Sequence, residues 1–372
     1  MTGRQMRLVG FVLALVTACG RYQPALFADR PIVTVVHDDR PIDVPSRAVF
    51  DERVQVSDIY LRRPLFDVVH PLDFATAGDV NAMDEVPSSS WYNPDGATRT
   101  GFPKVRAVSP VLPLLVVDEA PGTHSAALVV RDASGRRFEL IGDPPGRPGL
   151  FTGADVIGGF LLRSLGFNAP MAWAIDVPEA ALSSDTVKSA ERFQAWAKDL
   201  QAPVGGMRHV SATLWPNGTD VGNAGDFSVR PGDPNDTVDH NDRRTLRAMK
   251  VFGHWIEWTH FGIRRTRDVY VGEAGEGHLV HYLVGVSRAF GTEELRDRPV
   301  RDETSGNLWR NLVTFGLSAP VIRGERGSGF PSLGYFPGDL DPESYDVAPP
   351  YSPFVRFTPA DEYWAGKRLL DA

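Results

Sequence analysis

The chain has 372 residues, 42% of them hydrophobic and 10% aromatic, which is enough to bury a substantial core as one large domain or two lobes. Asp and Glu outnumber Lys and Arg by 47 to 39, and the formal net charge of −8 excludes a broad nucleic-acid-binding surface. A single cysteine excludes an internal disulfide, so packing alone must hold the fold.

Arg4 and Arg7 open the chain without an acid, and a short apolar run, Leu8 to Val16, precedes Thr17, Ala18 and Cys19. A basic start, a short apolar core and small residues before a cut describe a secretory signal peptide over residues 1–18, too short to span a bilayer. Val16-Thr17-Ala18-Cys19 resembles the lipobox of bacterial lipoproteins. The resemblance implies a lipid thioether on Cys19, cleavage before it and acylation of the new amino end, which anchors stably because more than one acyl chain is involved. The alternative is an ordinary signal peptide cut after Ala18. Gly20 stands where an aspartate would retain a lipoprotein at the inner membrane, which directs the chain to the outer membrane of a cell that has one.

Residues 19–104 are rich in proline and acids, with apolar pieces such as Ile32 to Val36, and are expected to form a tether and extended segments over the main body. Asp84 to Tyr92 reads as a turn with two aromatic anchors. Short apolar runs at Val111–Val117 and Ala126–Val130, a turn at Asp132–Gly135 and a run from Arg137 to Ile141 predict strands. A helix follows, with Thr152 as cap, Asp155 completing a capping box, Gly166 as stop and a stripe of Val156, Ile157, Phe160, Leu161 and Leu165. Met171–Val177 returns as a strand.

Further helices are expected over Ser184–Leu200, His240–Trp258 and Asn307–Leu317, with a strand near Met207–Leu214 and a hairpin of Val269–Val271 and Leu279–Val284. In the long helix, Leu246, Met249, Phe252 and Ile256 form the apolar stripe, while Arg243, Arg244, Arg247 and Lys250 are expected to stay hydrated. Thr358, Pro359 and Asp361 predict a capped terminal helix docked by Trp364 and Leu369. No Walker loop, Gly-x-Ser-x-Gly elbow or zincin spacing occurs, and His254, His260, His278 and His281 form no metal motif.

Several segments, in order, resemble a family of bacterial proteins with a kinase-like core. They are Asp79-Val80-Asn81 through Trp91, Gly153 to Ile157, Leu165 to Pro170, Asp233-Pro234-Asn235-Asp236, Arg243 to Ala248, His281-Tyr282-Leu283 and Thr358 to Trp364. That core is similar to atypical kinases of the HipA and phosphatidylinositol-kinase type. The resemblance implies an α+β, two-lobed protein-kinase-like fold, with a small strand-rich lobe over 105–180 and a larger, mainly helical lobe over 181–372.

Phosphoryl transfer needs a lysine at the nucleotide phosphates, an aspartate at the acceptor hydroxyl, and carboxylate and amide ligands for magnesium. This chain departs at each position that the resemblance assigns. Ile141 stands for the lysine, His260 for the catalytic aspartate, Arg265 for the asparagine, and Gly285-Val286-Ser287 for Asp-Phe-Gly. Arg265 cannot ligate Mg²⁺, which takes hard oxygen donors, though it can meet a phosphate directly. The implied remnant pocket of Ile141, Asp155, His260, Arg265 and Gly285 therefore has no catalytic residue, metal or cofactor, and leaves room for weak nucleotide or anion binding.

The expectation is a non-catalytic, lipid-anchored protein of the cell envelope, held at the membrane through Cys19 and acting by binding or scaffolding, with an envelope protein as its partner class. Two alternatives stand beside it: an active phosphotransferase rescued by displaced acids among Asp143, Asp155, Glu257 and Asp268, and a structural lipoprotein without a ligand.

Overall fold

The computed structural model describes residues 32–48, 77–94, 108–119, 127–225, 228–258, 261–292 and 351–371, together with Leu333, Pro342, Tyr345 and Val347. The segment expected as a helix over 307–317 lies outside them. The fold is α+β, a mixed sheet with helices.

The main sheet takes six strands: β1 (Leu114–Val116), β2 (Leu128–Arg131), β3 (Arg137–Gly142), β4 (Met171–Pro178), β5 (Leu182–Ser184) and β6 (Met207–Leu214), in the order β4-β6-β3-β2-β1-β5. All pairings are antiparallel except β1 with β5. Asp132 builds the β2–β3 turn: its carboxylate takes the backbone N–H groups of Val111, Ser134 and Arg136, and the Arg136 guanidinium. Burial works against that charge, yet these donors hold the carboxyl down at about 2. The sheet runs past the expected boundary near residue 180, because β6 inserts between β3 and β4 and hydrogen-bonds to both.

Strand alternation gives the sheet two different faces. Leu114, Val116, Leu128, Val130, Phe138, Leu140, Val210 and Ala212 form one apolar cluster, covered by Trp196, Phe193 and Leu200 on and just beyond helix α2 (Val187–Lys198). Thr186 and Ser189 close a reciprocal capping box at the start of α2. The other face meets helix α1 (Leu150–Ser164).

Helix α1 departs from the expected pattern in two respects. Its cap is not Thr152 with Asp155. Instead Asp143, upstream of the helix, accepts the N–H groups of Gly149, Phe151 and Thr152 and the Thr152 hydroxyl, satisfying donors that the first turn leaves open. Nor is the expected stripe buried as a unit: Ile157 is exposed, and the packed face is Ala154, Asp155, Gly158, Gly159 and Leu162. Small residues bring the helix close to its neighbours, and a Cβ on Gly158 would fall 2.3 Å from Val286. Gly166, at φ +98, ends the turn as expected.

A second sheet joins β7 (Thr219–Asp220), β8 (Thr266–Val271) and β9 (His278–Leu283), the last two forming the expected hairpin. The expected helix over 240–258 is broken: a 3₁₀ turn at His240–Asp242, then α3 (Arg244–Arg247) and α4 (Met249–Trp255). Its apolar residues are buried as predicted, packed with Tyr92, Phe167, Trp258, Phe261, α5 (Ser352–Val355) and Trp364 of α6 (Pro359–Asp371).

The arginines of that segment are not hydrated. Arg243, Arg244 and Arg247 are buried. Arg244 meets Asp361 and Asp84, Arg247 meets Asp242, and Asp79 receives the backbone N–H groups of Arg244 and Thr245. Thr358 and Asp361 make the predicted capping box, so Asp361 ties the terminal helix both to its own cap and to Arg244.

The stretch 32–48 lies extended over the body, bridging Val35 to Ser88, Ile42 to Gly277 and Ala48 to Gly222. Tyr270 fastens it, donating its hydroxyl to the Ile42 carbonyl at 2.8 Å.

Candidate functional site

Because Phe138 and Leu140 point toward α2, the alternate residues Glu139 and Ile141 of β3 face α1. Ile141 lies directly opposite Ser211 of β6, and Glu139 opposite Thr213, so all four share that face. The Ser211 and Thr213 hydroxyls both donate to Asp155 Oδ2, at 2.9 and 2.8 Å. Burial pushes the Asp155 carboxyl up to about 6; the two hydroxyls oppose the rise, and the charge of Glu139 adds to it.

The chain leaves β9 through Gly285, whose φ of 76° suits a residue without a Cβ, into the 3₁₀ turn Val286–Arg288. That turn packs on α1 beside Asp155. Asp155, Thr213, Val284, Gly285 and Val286 line one crevice of about 10 Å³, roughly the space of a single water. Arg265 joins the neighbourhood through its backbone, accepting the Val284 N–H at 2.9 Å.

Of the residues assigned to the remnant pocket from sequence, Asp155 and Gly285 line this crevice, Ile141 lies beside it on β3 opposite Ser211, and Arg265 touches it only through its backbone carbonyl. His260 and the lipidation residue Cys19 lie outside the described residues. The magnesium that such a core implies does not fit these residues: Gly285 offers no side-chain oxygen, Arg265 brings a cation, and the Asp155 oxygen that faces β6 is taken by two hydroxyls.

Two of the other acids weighed as displaced ligands have structural work. Asp143 caps α1. Asp268 is fully buried against the Arg230 guanidinium at 2.7 Å and His281 Nδ1 at 2.7 Å. Glu257 is buried at the end of α4 with φ 53°. Among the described residues, no group of three or more His, Cys, Asp or Glu side chains is arranged to hold a metal ion.

Sequence reasoning missed a second polar centre under the larger core. Asp236 accepts the Arg230 backbone N–H at 2.6 Å, meets His240 Nε2 at 2.7 Å and pairs with Arg243. Burial opposes the Asp236 charge, but His240 and Arg243 hold its carboxyl far below the usual range. Trp91 lies stacked on His281 and edge-on to His240, joining the Asp236 and Asp268 groups into one buried assembly. The signal was present in Asp233 to Asp236 and Arg243-Arg244, where charged residues recur in a stretch otherwise read as loop and solvated helix. No family model, curated protein or solved structure matches the chain.

Proposed function

We propose that this chain is a lipid-anchored envelope protein whose kinase-like core binds or scaffolds without transferring phosphate. One observation carries the reading. The place where strand β6, helix α1 and the end of β9 meet holds a hydrogen-bonded carboxyl, apolar side chains and a bare backbone around a crevice of about 10 Å³, with the hydrocarbon of Ile141 next to it on β3. Phosphoryl transfer rests on positioned cations, metal ligands and room for the phosphate chain, so this centre lacks the means of catalysis. The small-lobe order supports the kinase-like part of the reading: a strand meander, a helix after β3 that sets an acid behind the sheet, and a later strand, β6, beside β3. No helix among the described residues is long and apolar enough to cross a membrane, and the anchoring part of the reading rests on the lipobox.

Calorimetric titration of the full chain with ATP, with and without Mg²⁺, tests the core. Weak metal-independent heat or silence is expected. Tight Mg²⁺-dependent binding, with label transferred from ATP to an acceptor, sinks the reading. For the anchor, Cys19→Ser is expected to release the protein from the membrane fraction, and retention there contradicts it.

A further inference from the structure

The molecule is acidic overall, yet one open cleft of about 510 Å³ is lined by Arg47, Arg131, Arg136 and Arg137 against only Glu119 and Asp220. The lining therefore carries a surplus of two positive charges on a chain of net charge −8. The cleft sits at the end of the main sheet away from Ile141, where the β2–β3 turn, the exit of β6 at Trp215 and strand β7 come together.

The cations are not equally committed. Arg136 is bound by Asp132 and by the Ser109 carbonyl. Arg131 and Arg137 share Glu119, whose two oxygens take Arg131 Nη2 at 2.7 Å and Arg137 Nε at 3.1 Å. Arg137 is further fixed by Glu139 and lies 4.6 Å over the Trp215 ring, which orients its fork. Arg131 is half-exposed and keeps donors toward solvent. Arg47 is exposed and has no ion-pair partner among the described residues. It is brought to the rim by the bridge between Ala48 and Gly222.

Behind the wall, Arg267 is partly buried with Asp220 at 4.0 Å. Burial holds its guanidinium below the ordinary value, Asp220 and Glu139 pull it back, and the charges of Arg47 and Arg137 add to the depression. These guanidiniums crowd one another, and a bound anion would relieve that repulsion.

We infer that this cleft binds a small oxyanion of at least two negative charges, phosphate or carboxylate in character, between Arg47, Arg131 and Arg137. Glu119 shows the geometry such a group would adopt, a planar carboxylate bridging two arginine forks. The inference deepens the binding half of the proposal above by giving it a ligand class. It does not depend on the closed crevice, which lies elsewhere on the sheet.

The full chain in detergent would be titrated calorimetrically with pyrophosphate and with citrate at low ionic strength, with chloride at matched ionic strength as control. Saturable binding of either probe is expected, weakened at least tenfold by Arg47→Ala together with Arg131→Ala. Both positions are exposed, and circular dichroism would confirm that the double variant folds. The conservative pair Arg47→Lys and Arg131→Lys should retain part of the affinity. No saturable binding above the chloride control, or undiminished binding in the alanine double variant, overturns the assignment. ATP with Mg²⁺ is a separate titration, so failure of one reading is not failure of the other.

Discussion

Trp91 lies flat on His281, ring centroids 4.1 Å apart and planes within 11°, although the two residues lie 190 positions apart in the sequence. The indole also meets the edge of His240 at 4.8 Å, and the Arg243 guanidinium stands 5.3 Å from its ring. One aromatic side chain thus separates and orients two buried ion-pair groups, Asp236 with Arg243 and Asp268 with Arg230.

Trp91→Ala should consequently cost about 3–5 kcal/mol, the usual range for emptying a large aromatic site. Urea unfolding monitored by circular dichroism would measure it. A loss under about 1 kcal/mol would show that the stack contributes little. Trp91→Phe should recover part of the loss by refilling the space.

Asp155 gives the protein a pH dependence of a particular sign. Its folded carboxyl is raised to about 6, above the ordinary unfolded value, so the folded state binds the proton more tightly. Its contribution is full below about pH 4, declines as pH rises to about 6 and is flat above that, with a span of about 3 kcal/mol. Asp155→Asn keeps an oxygen for Ser211 and Thr213 but cannot ionise. It should flatten the stability profile between about pH 4 and 6 and raise stability at pH 7.5. An unchanged slope in that window would remove Asp155 as its source.

The contrast between what was readable at Asp361 and at Asp155 shows how far sequence carries. Local chemistry was legible: the Thr358–Asp361 box, the turn at Asp132–Gly135, the β8–β9 hairpin and every strand of the main sheet except β5 follow from neighbours within a few residues. The same spacing logic misassigned Thr152 and Asp155, because Asp143 already supplies the cap and the carboxyl is taken by strand β6, 56 residues away in sequence. The arginines of α3 misled for a related reason. Helical periodicity places them off the apolar stripe, but their partners Asp79, Asp84 and Asp361 arrive from distant segments that periodicity does not see. Around the candidate site, the absence of a charged side chain at Ile141 and Gly285 was visible in the sequence, whereas the close approach of Gly158 to Val286 was not.

Gly158→Ala tests that close approach. Alanine favours helix by about 1 kcal/mol over glycine in an open setting. Here the added methyl would meet both Val286 Cγ atoms, at 2.3 and 2.7 Å, so overpacking should prevail with a net loss of about 1–3 kcal/mol. Pairing it with Val286→Ala should restore most of the stability in a double-mutant cycle. Additive losses would place the conflict elsewhere.

Gly222→Ala should act on the extended stretch 32–48 more than on the body. The new Cβ would sit 1.7 Å from the Ala48 carbonyl oxygen, at a φ of +104° that side chains resist. Hydrogen exchange at the Ala48 amide, bonded to the Val221 carbonyl at 2.9 Å, should quicken markedly while amides of β3 and β6 keep their protection. Equal protection of Ala48 in both proteins would contradict the prediction.

The fastening of residues 32–48 to the body also sets a leash. A lipid on Cys19 would leave thirteen peptide steps before Ile32, and a fully stretched chain covers about 3.4 Å per residue, so the folded body could stand no more than about 45 Å from the bilayer surface. If Cys19 carries lipid, the body at Ile32 would stay within that distance of the membrane, and lengthening the 20–31 stretch would extend its reach without altering the folded surface.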